Sequence, residues 1–343
     1  MLQPEDSAAS RCPTVAVVGC GRWGRNLVRN FAELGALHSV CDIDQAVAQE
    51  FSQRFNVPAL SLDSVLQSDC DGTAFASPAA LHAQQSSMAL AAGKHVFVEK
   101  PLALTVGDGQ KVKNLAKSHN KILMVGHLLH YHPLVIELIR LIHSGRLGVI
   151  KHIVANRLNF GTIRLEEDVI WSFAPHDLSI ILAIFDQVPT RVSVEATAIL
   201  NPKLADVASM HLDFAGGSTA RVTVSWLNPY KEQKLSVIGT EGHMVFDDTL
   251  EWDQKLVIYD HKVDLRDGRP VAIKAKPTRI TVPQKEPLKE ECAHFLTSIR
   301  QGSVPRTDVV EALRVLAVLE AATRARQTGR SATPFTDREI DSS

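Results

Sequence analysis

From Thr14 onward, short apolar runs alternate with stretches of helical periodicity, and this alternation limits the fold more than any other feature of the chain. "TVAVVG", "LHSVCD", "GTAFAS", "HVFVEKP" and "ILMVGH" read as buried strands. Between them "RWGRNLVRNFAEL", "QAVAQEFSQRFN", "AALHAQQSSMALAAG" and "VGDGQKVKNLAKSHN" read as helices. Strands joined through helices by connections this short run parallel, with helices on both faces of the sheet. The expected fold class is α/β, opening with a doubly wound domain over residues 1–126.

Past that point the pattern changes. After a helix at "HPLVIELIRLIHSG" come longer β-rich stretches, among them "VIKHIVANRLNF", "RVSVEATAIL", "ASMHLDFAGGSTARVTVSW", "QKLSVIGTEGHMVF" and "KLVIYDH". "FAGGSTAR" reads as a hairpin turn, "APHDLSIILAIFD" as a helix that interrupts the strands, and the basic "KAKPTR" as an exposed loop. A mainly antiparallel sheet follows from this, able to bury one face and leave the other open, in an α+β domain over residues 127–343. The last helices, "PLKEECAHFLTSIRQG" and "DVVEALRVLAVLEAATRARQTG", are free to pack back on the first domain.

"VVGCGRWGRN" stands between the first strand and the first helix. In that context Gly19, Gly21 and Gly24 have the spacing of a dinucleotide fingerprint. Gly19 permits the tight turn, Gly21 lets backbone amides approach a pyrophosphate, and Gly24 allows close helix–strand contact at an anion-binding helix N-terminus. Asp42 ends the second strand, where a carboxylate accepts from ribose hydroxyls and repels a 2'-phosphate, so NAD is the expected cofactor. Arg22 is placed either to touch the pyrophosphate or to admit NADP. Cys20 is a small filler, and Trp23 packs beside the cofactor or at a domain seam.

Composition narrows the partners. The chain of 343 residues is 45% hydrophobic and 22% charged with a formal net charge of -1, so its overall field attracts neither nucleic acid nor an anionic membrane. Its five cysteines lack the spacing of a zinc site or a disulfide framework. The opening "MLQPEDSAASRC" has no apolar run, and no later run approaches the roughly 18 residues of a membrane span. A cytoplasmic location is the expectation. His127, His130 and His132 in "GHLLHYHP" look like a metal cluster, but no neighbouring carboxylate completes it and alternate spacing splits them between faces, so no metal is expected.

"FVEKPLALT", with Glu99, Lys100 and Pro101 at a strand end, resembles the signature of the Gfo/Idh/MocA oxidoreductase family. The resemblance runs through "ASPAALHAQQSSMALAAGKHVFVEKP", "HPLVIELIRLIHSGRLGVI" and "EECAHFLTSIRQGSVPRTDVVEALRVLAVLEAA". It implies a nicotinamide enzyme with a Rossmann domain, assembled as a homodimer or homotetramer. The family's motif lysine falls on Lys100, whose cation stabilises a developing alkoxide. The family's catalytic histidine falls on His176 in "WSFAPHDLS", a base for the hydroxyl proton, while Ser172 stands where the family often has aspartate. Asp177 is a possible contributor, or a cap. Ser77, Pro78, His82 and Glu99 fall near the cofactor, and His127, His130 and Tyr131 near the substrate.

"NRLNFGTIRLEEDVIWSFAPHD" carries Arg157, Asn159 and Arg164 toward His176. Two guanidinium groups suit a phosphate- or carboxylate-bearing sugar, and a solvated ion-pair face with Glu166 and Glu167 is the competing explanation. The block resembles the family's nucleotide-sugar 3-dehydrogenases. That implies oxidation of the 3-hydroxyl of UDP-N-acetylglucosamine, or of its glucuronate form, to a ketone that an aminotransferase then uses on a route to lipid A or a surface polysaccharide. A free-sugar or inositol dehydrogenase and a non-catalytic NAD-binding regulator are the alternatives.

Overall fold

A computed structural model of the chain describes residues 11–341 and divides into two compact units. The opening residues 1–10, most of the segment without an apolar run, lie outside the described residues. Among those described, no helix is long and apolar enough to cross a membrane.

The first unit runs to Gly126 and takes in Leu288–Val309. Its elements are β1 (Val15–Val18), α1 (Gly24–Glu33), β2 (Leu37–Cys41), α2 (Gln45–Phe55), α3 (Leu62–Gln67), β3 (Gly72–Phe75), α4 (Ala79–Ala91), β4 (His95–Glu99), α5 (Val106–Ser118) and β5 (Leu123–Gly126). The strands lie in the order β2-β1-β3-β4-β5, every pair parallel. The chain leaves β1 toward β2 and returns on the other side at β3, so the carboxyl ends of β1 and β3 form the switch point where such sheets bind ligands. β1 and β3 are buried at every position, as strands covered on both faces must be. Short α3, absent from the sequence reading, begins on Ser61, whose hydroxyl accepts from the Ser64 amide.

The free edge of β5 is closed by the stretch before the last long helix. Val125 donates its amide to the Thr307 carbonyl at 2.9 Å, and Met124 bridges Asp308. In the same unit Phe295 meets the ring edges of Phe31 and Phe97, at centroid distances of 6.5 and 5.9 Å. Truncating such a core ring costs about 3–5 kcal/mol.

The second unit comprises His127–Pro287 and the residues from Val310 onward. After α6 (Pro133–His143) come β6 (Ile150–Phe160) and α7 (Val169–Phe185), then β7 (Arg191–Thr197), β8 (Val207–Asp213), β9 (Thr219–Ser225), β10 (Leu227–Gly239), β11 (His243–Asp247) and β12 (Leu256–Tyr259). The chain continues through β13 (Lys262–Arg266), β14 (Arg269–Ile273), β15 (Thr278–Arg279), α8 (Pro287–Gln301, counted from Leu288 with the first unit), α9 (Val309–Thr328) and α10 (Asp337–Asp341). One eight-stranded sheet, ordered β15-β12-β11-β10-β6-β9-β8-β7, is antiparallel except between β6 and β9. β8 alternates buried Ala208, Met210 and Leu212 with half-exposed neighbours, the period-two pattern of a sheet with one covered face. α7 packs against β6, β8 and β9, burying Leu178, Ile181 and Leu182.

Two readings are corrected here, and one element is new. "KAKPTR" is not all loop, because Thr278 and Arg279 pair with β12 as β15. Residues 262–273 form an exposed hairpin that the sequence did not announce. The helix read from Ala174 begins at Val169: Asp168 caps it by accepting from the amides of Ile170 and Trp171, both at 3.1 Å, and Pro175 is carried inside it.

Candidate active site

In the first unit the glycine loop has the geometry its spacing implies. Gly19 sits at φ +89°, and a Cβ there would come within 2.8 Å of the Ala76 backbone. A Cβ on Gly24 would lie 1.7 Å from the Gly19 carbonyl oxygen, so loop and helix are packed backbone to backbone. A Cβ on Gly21 would meet nothing within 4 Å. Here the loop opens onto space, and no side chain caps the α1 N-terminus behind it. A bare helix end beside an open glycine fits a pyrophosphate.

Asp42 closes the site at the end of β2. Its carboxylate accepts from the Cys20 amide at 2.7 Å and the Asp44 amide at 2.9 Å. A carboxylate has about four lone-pair positions, so room remains for ribose hydroxyls. The same bonds tie the glycine loop to β2, a second duty that spacing did not disclose. Cys20 is buried, and burial together with Asp42 pushes its thiol up to about 12, in keeping with a filler.

Glu99 ends β4 and Lys100 follows it, both half-buried. The indole N–H of Trp23 donates to the Glu99 carboxylate, so Trp23 has a polar role that the packing assignment missed. Glu99 also lies over Gly126, where a Cβ would approach its Oε2 to 2.9 Å. Burial pushes the Glu99 carboxyl up to about 7, against the opposing pull of Trp23 and Lys100. Ser77 donates to Gln85, and Pro78 is exposed at the start of α4; Arg22 is exposed on the loop.

His82 requires a correction. Expected against the cofactor, it is 1% exposed, with Nδ1 2.7 Å from the Pro101 carbonyl oxygen and Nε2 2.8 Å from that of Ser77. Both ring nitrogens are engaged by backbone, so His82 is a strut between the E-K-P turn and the loop after β3.

In the second unit β6, the following loop and α7 carry the predicted residues. His176 is half-buried, about two turns into α7, and Ser172 precedes it by one turn on the same face. Arg157 on β6 engages Asp177 through Nε at 2.8 Å and Nη2 at 3.1 Å. Asp177 is therefore not a helix cap, and Arg157 has an internal carboxylate. Arg164 lies 3.0 Å from Glu167 and donates to the Ser172 hydroxyl at 3.2 Å. The Asn159 amide oxygen is buried with no hydrogen-bond partner in the protein.

His127 and His130 converge rather than divide. Glu311, from α9, reaches His127 Nδ1 at 2.5 Å and His130 Nε2 at 3.5 Å, while His132 turns toward Asp248 at 3.7 Å. The carboxylate thought missing is supplied from 184 residues away. Burial alone would raise Glu311, but the two histidines outweigh it and hold the carboxyl at about 2. Among the described residues no group of three or more histidine, cysteine and acidic side chains could hold a metal ion. His127 and Tyr131 are 3% and 2% exposed, which leaves Tyr131 in particular little surface for the substrate contact expected of it.

Comparison with known proteins bears on both units. The model of an oxidoreductase family with an NAD-binding Rossmann fold matches residues 14–127, and that of the Gfo/Idh/MocA C-terminal domain matches residues 135–245. The chain is 24% identical to UDP-N-acetylglucosamine 3-dehydrogenase of Acidithiobacillus ferrooxidans over 88% of its own length and 93% of that protein. It is 27% identical to scyllo-inositol 2-dehydrogenase (NAD(+)) of Bacillus subtilis, over 92% and 94% of the two chains. A solved structure of the Acidithiobacillus enzyme superposes with a TM-score of 0.81 at 22% identity, covering 96% of this chain and 98% of that one. Aldose-aldose oxidoreductase from Caulobacter crescentus gives 0.82 at 21% identity, covering 94% and 100%; at these identities the likeness establishes the fold. The chain belongs to the Gfo/Idh/MocA oxidoreductase family and is an NAD-dependent dehydrogenase acting on an alcohol.

Proposed function

We propose that the protein oxidises the 3-hydroxyl of a UDP-sugar, UDP-N-acetylglucosamine foremost, giving a 3-keto sugar for an aminotransferase in lipid A or surface-polysaccharide synthesis. It would work in the cytoplasm as a homodimer or homotetramer. The observation that carries this reading is the similarity to the Acidithiobacillus UDP-N-acetylglucosamine 3-dehydrogenase along nearly the whole of both chains. The orphaned Asn159 oxygen supports a ligand at that place, since a buried acceptor without a donor is costly unless a hydroxyl or amide N–H arrives.

Gly21 and the uncapped α1 terminus would hold the pyrophosphate of NAD and Asp42 its ribose, and the bound cofactor would supply the hydride acceptor for the carbinol carbon. His176 removes the hydroxyl proton, and the Lys100 ammonium stabilises the negative charge that grows on the oxygen.

A second reading, oxidation of an uncharged polyol, is favoured by one observation: Arg157 and Arg164 each already hold a carboxylate. Measuring NADH formation with UDP-N-acetylglucosamine, glucose and inositol separates the two. Turnover is expected with the nucleotide sugar, with NMR placing the new ketone at C3, and Lys100→Met should lower it by about 100- to 10,000-fold. Turnover on free polyols alone would establish the second reading.

A further inference from the structure

We propose that Arg157 is a positioning residue, which aims His176 through a buried two-point ion pair with Asp177. The proposal rests on reading His176 as the base.

Pro175, immediately before His176, lacks the N–H that would bond the carbonyl of Trp171, so α7 is weakest in its own ladder where the histidine sits. Something outside the helix has to hold that turn. The Ser179 hydroxyl donates to the His176 carbonyl at 3.0 Å and steadies the backbone, but it does not fix rotation about the helix axis. The next side chain does. Both Asp177 oxygens are taken, by Nε and Nη2 of one guanidinium, and this planar two-point contact fixes the carboxylate in distance and in angle. Successive side chains on a helix are about 100° apart, so holding Asp177 sets the direction of His176.

The anchor is rigid. Arg157 lies inside β6, paired with Gln233 of β10 on one side and Val224 of β9 on the other. Side-chain exposures of 12% for Arg157 and 4% for Asp177 leave the pair largely shielded from water. Buried pairs of this kind add little net stability over an apolar pair of like size, so fixing a direction is the better account of this one. Ser172, on the same face as His176, is a hydroxyl that Arg164 already contacts.

The test uses the full-length enzyme with whichever sugar of the panel it turns over. Arg157→Gln and Asp177→Asn should each lower kcat by about 10- to 100-fold with KM and NAD binding little changed, a loss typical of a misaimed catalytic group. The double variant should be no slower than the slower single, and the apparent pKa in the kcat/KM profile should move in all three. Arg157→Lys keeps the charge without the two-point contact and should remain slow. Because one unpaired buried charge can unfold the chain, Arg157→Met with Asp177→Leu removes both charges together; that protein should melt near the wild type and still be slow. A raised KM with intact kcat for Arg157→Gln, not shared by Asp177→Asn, would make Arg157 a substrate ligand and overturn the proposal. Lowered melting points with intact kcat and an unmoved pH profile would leave a purely structural pair and overturn it as well. Full activity in His176→Ala overturns the base assignment and the positioning together, whereas an inactive His176→Ala beside fast pair variants overturns the positioning alone.

Discussion

The indole N–H of Trp23 donates to the carboxylate of Glu99, so the residue just before the last glycine of the nucleotide loop is bonded to the residue before Lys100. This bond stabilises the ionised carboxyl, and burial opposes it more strongly, leaving Glu99 at about 7 instead of its ordinary 4.5. A carboxyl raised on folding contributes stability that is fully present below 4.5 and is lost as the pH climbs through 7. Glu99→Gln should therefore flatten the dependence of melting temperature on pH across that window, a change on the order of 3 kcal/mol at most. Trp23→Phe should do the opposite to the carboxyl and raise its pKa further, which NMR titration of the Glu99 carboxyl carbon would register. A pKa that falls in Trp23→Phe would show that the indole does not support the charge.

Gly21 and Gly24 should respond oppositely to alanine. At Gly24 the added carbon meets the Gly19 carbonyl oxygen at 1.7 Å, backbone that cannot step aside. Overpacking of this kind costs about 1–3 kcal/mol, so Gly24→Ala should lower the melting temperature and NAD binding together. At Gly21 the carbon enters space that no protein atom occupies within 4 Å. Gly21→Ala should melt like the wild type yet bind NADH about tenfold more weakly, near 1.4 kcal/mol, as read by fluorescence titration. Unchanged NADH affinity in Gly21→Ala would move the pyrophosphate elsewhere.

Asp42 holds the Cys20 amide at 2.7 Å, so removing it disturbs the loop as well as the charge. Asp42→Asn keeps an oxygen for that amide while removing the charge and the acceptor that the Asp44 amide uses. It should raise the ratio of NADP to NAD turnover by about tenfold or more, since the carboxylate is the group that repels a 2'-phosphate. Asp42→Ala should raise the ratio too, but with weaker binding of both cofactors. If neither variant moves the ratio and Arg22→Ala does, Arg22 sets the cofactor choice.

Legibility in the sequence followed the range of the interaction. The glycine loop was readable because a turn at φ +89° and a helix pressed on its own loop demand glycine locally. The two sheets were readable because burial on both faces gives continuous apolar runs, and burial on one face gives alternation. What failed depended on distant chain. His82 was placed near the cofactor by the family resemblance, and nothing near it in sequence shows that its ring lies against the Pro101 carbonyl. The α7 boundary was drawn too late, at Ala174, although proline, commonest in a first helical turn, is carried inside this helix at Pro175. Arg157 looked available for an anion because Asp177, 20 residues on, reaches it only once α7 lies against β6.

Glu311 is the extreme case of that distance, and it carries its own pH signature. Burial would raise its carboxyl, but His127 and then His130 prevail and hold it at about 2, below the ordinary 4.5. A carboxyl lowered on folding contributes stability that is present above 4.5 and lost as the pH falls through 2. Glu311→Gln removes that contribution while keeping an oxygen for the His127 Nδ1 hydrogen. It should lower the melting temperature at pH 7, by an amount equivalent to about 1–3 kcal/mol, and weaken the loss of stability on acidification below 4.5. Nitrogen NMR of His127 should still report the Nδ1–H form in Glu311→Gln and lose that preference in Glu311→Ala. A Glu311→Gln protein as stable as the wild type at pH 7, with the same acid transition, would mean that the two histidines do not hold this carboxylate charged.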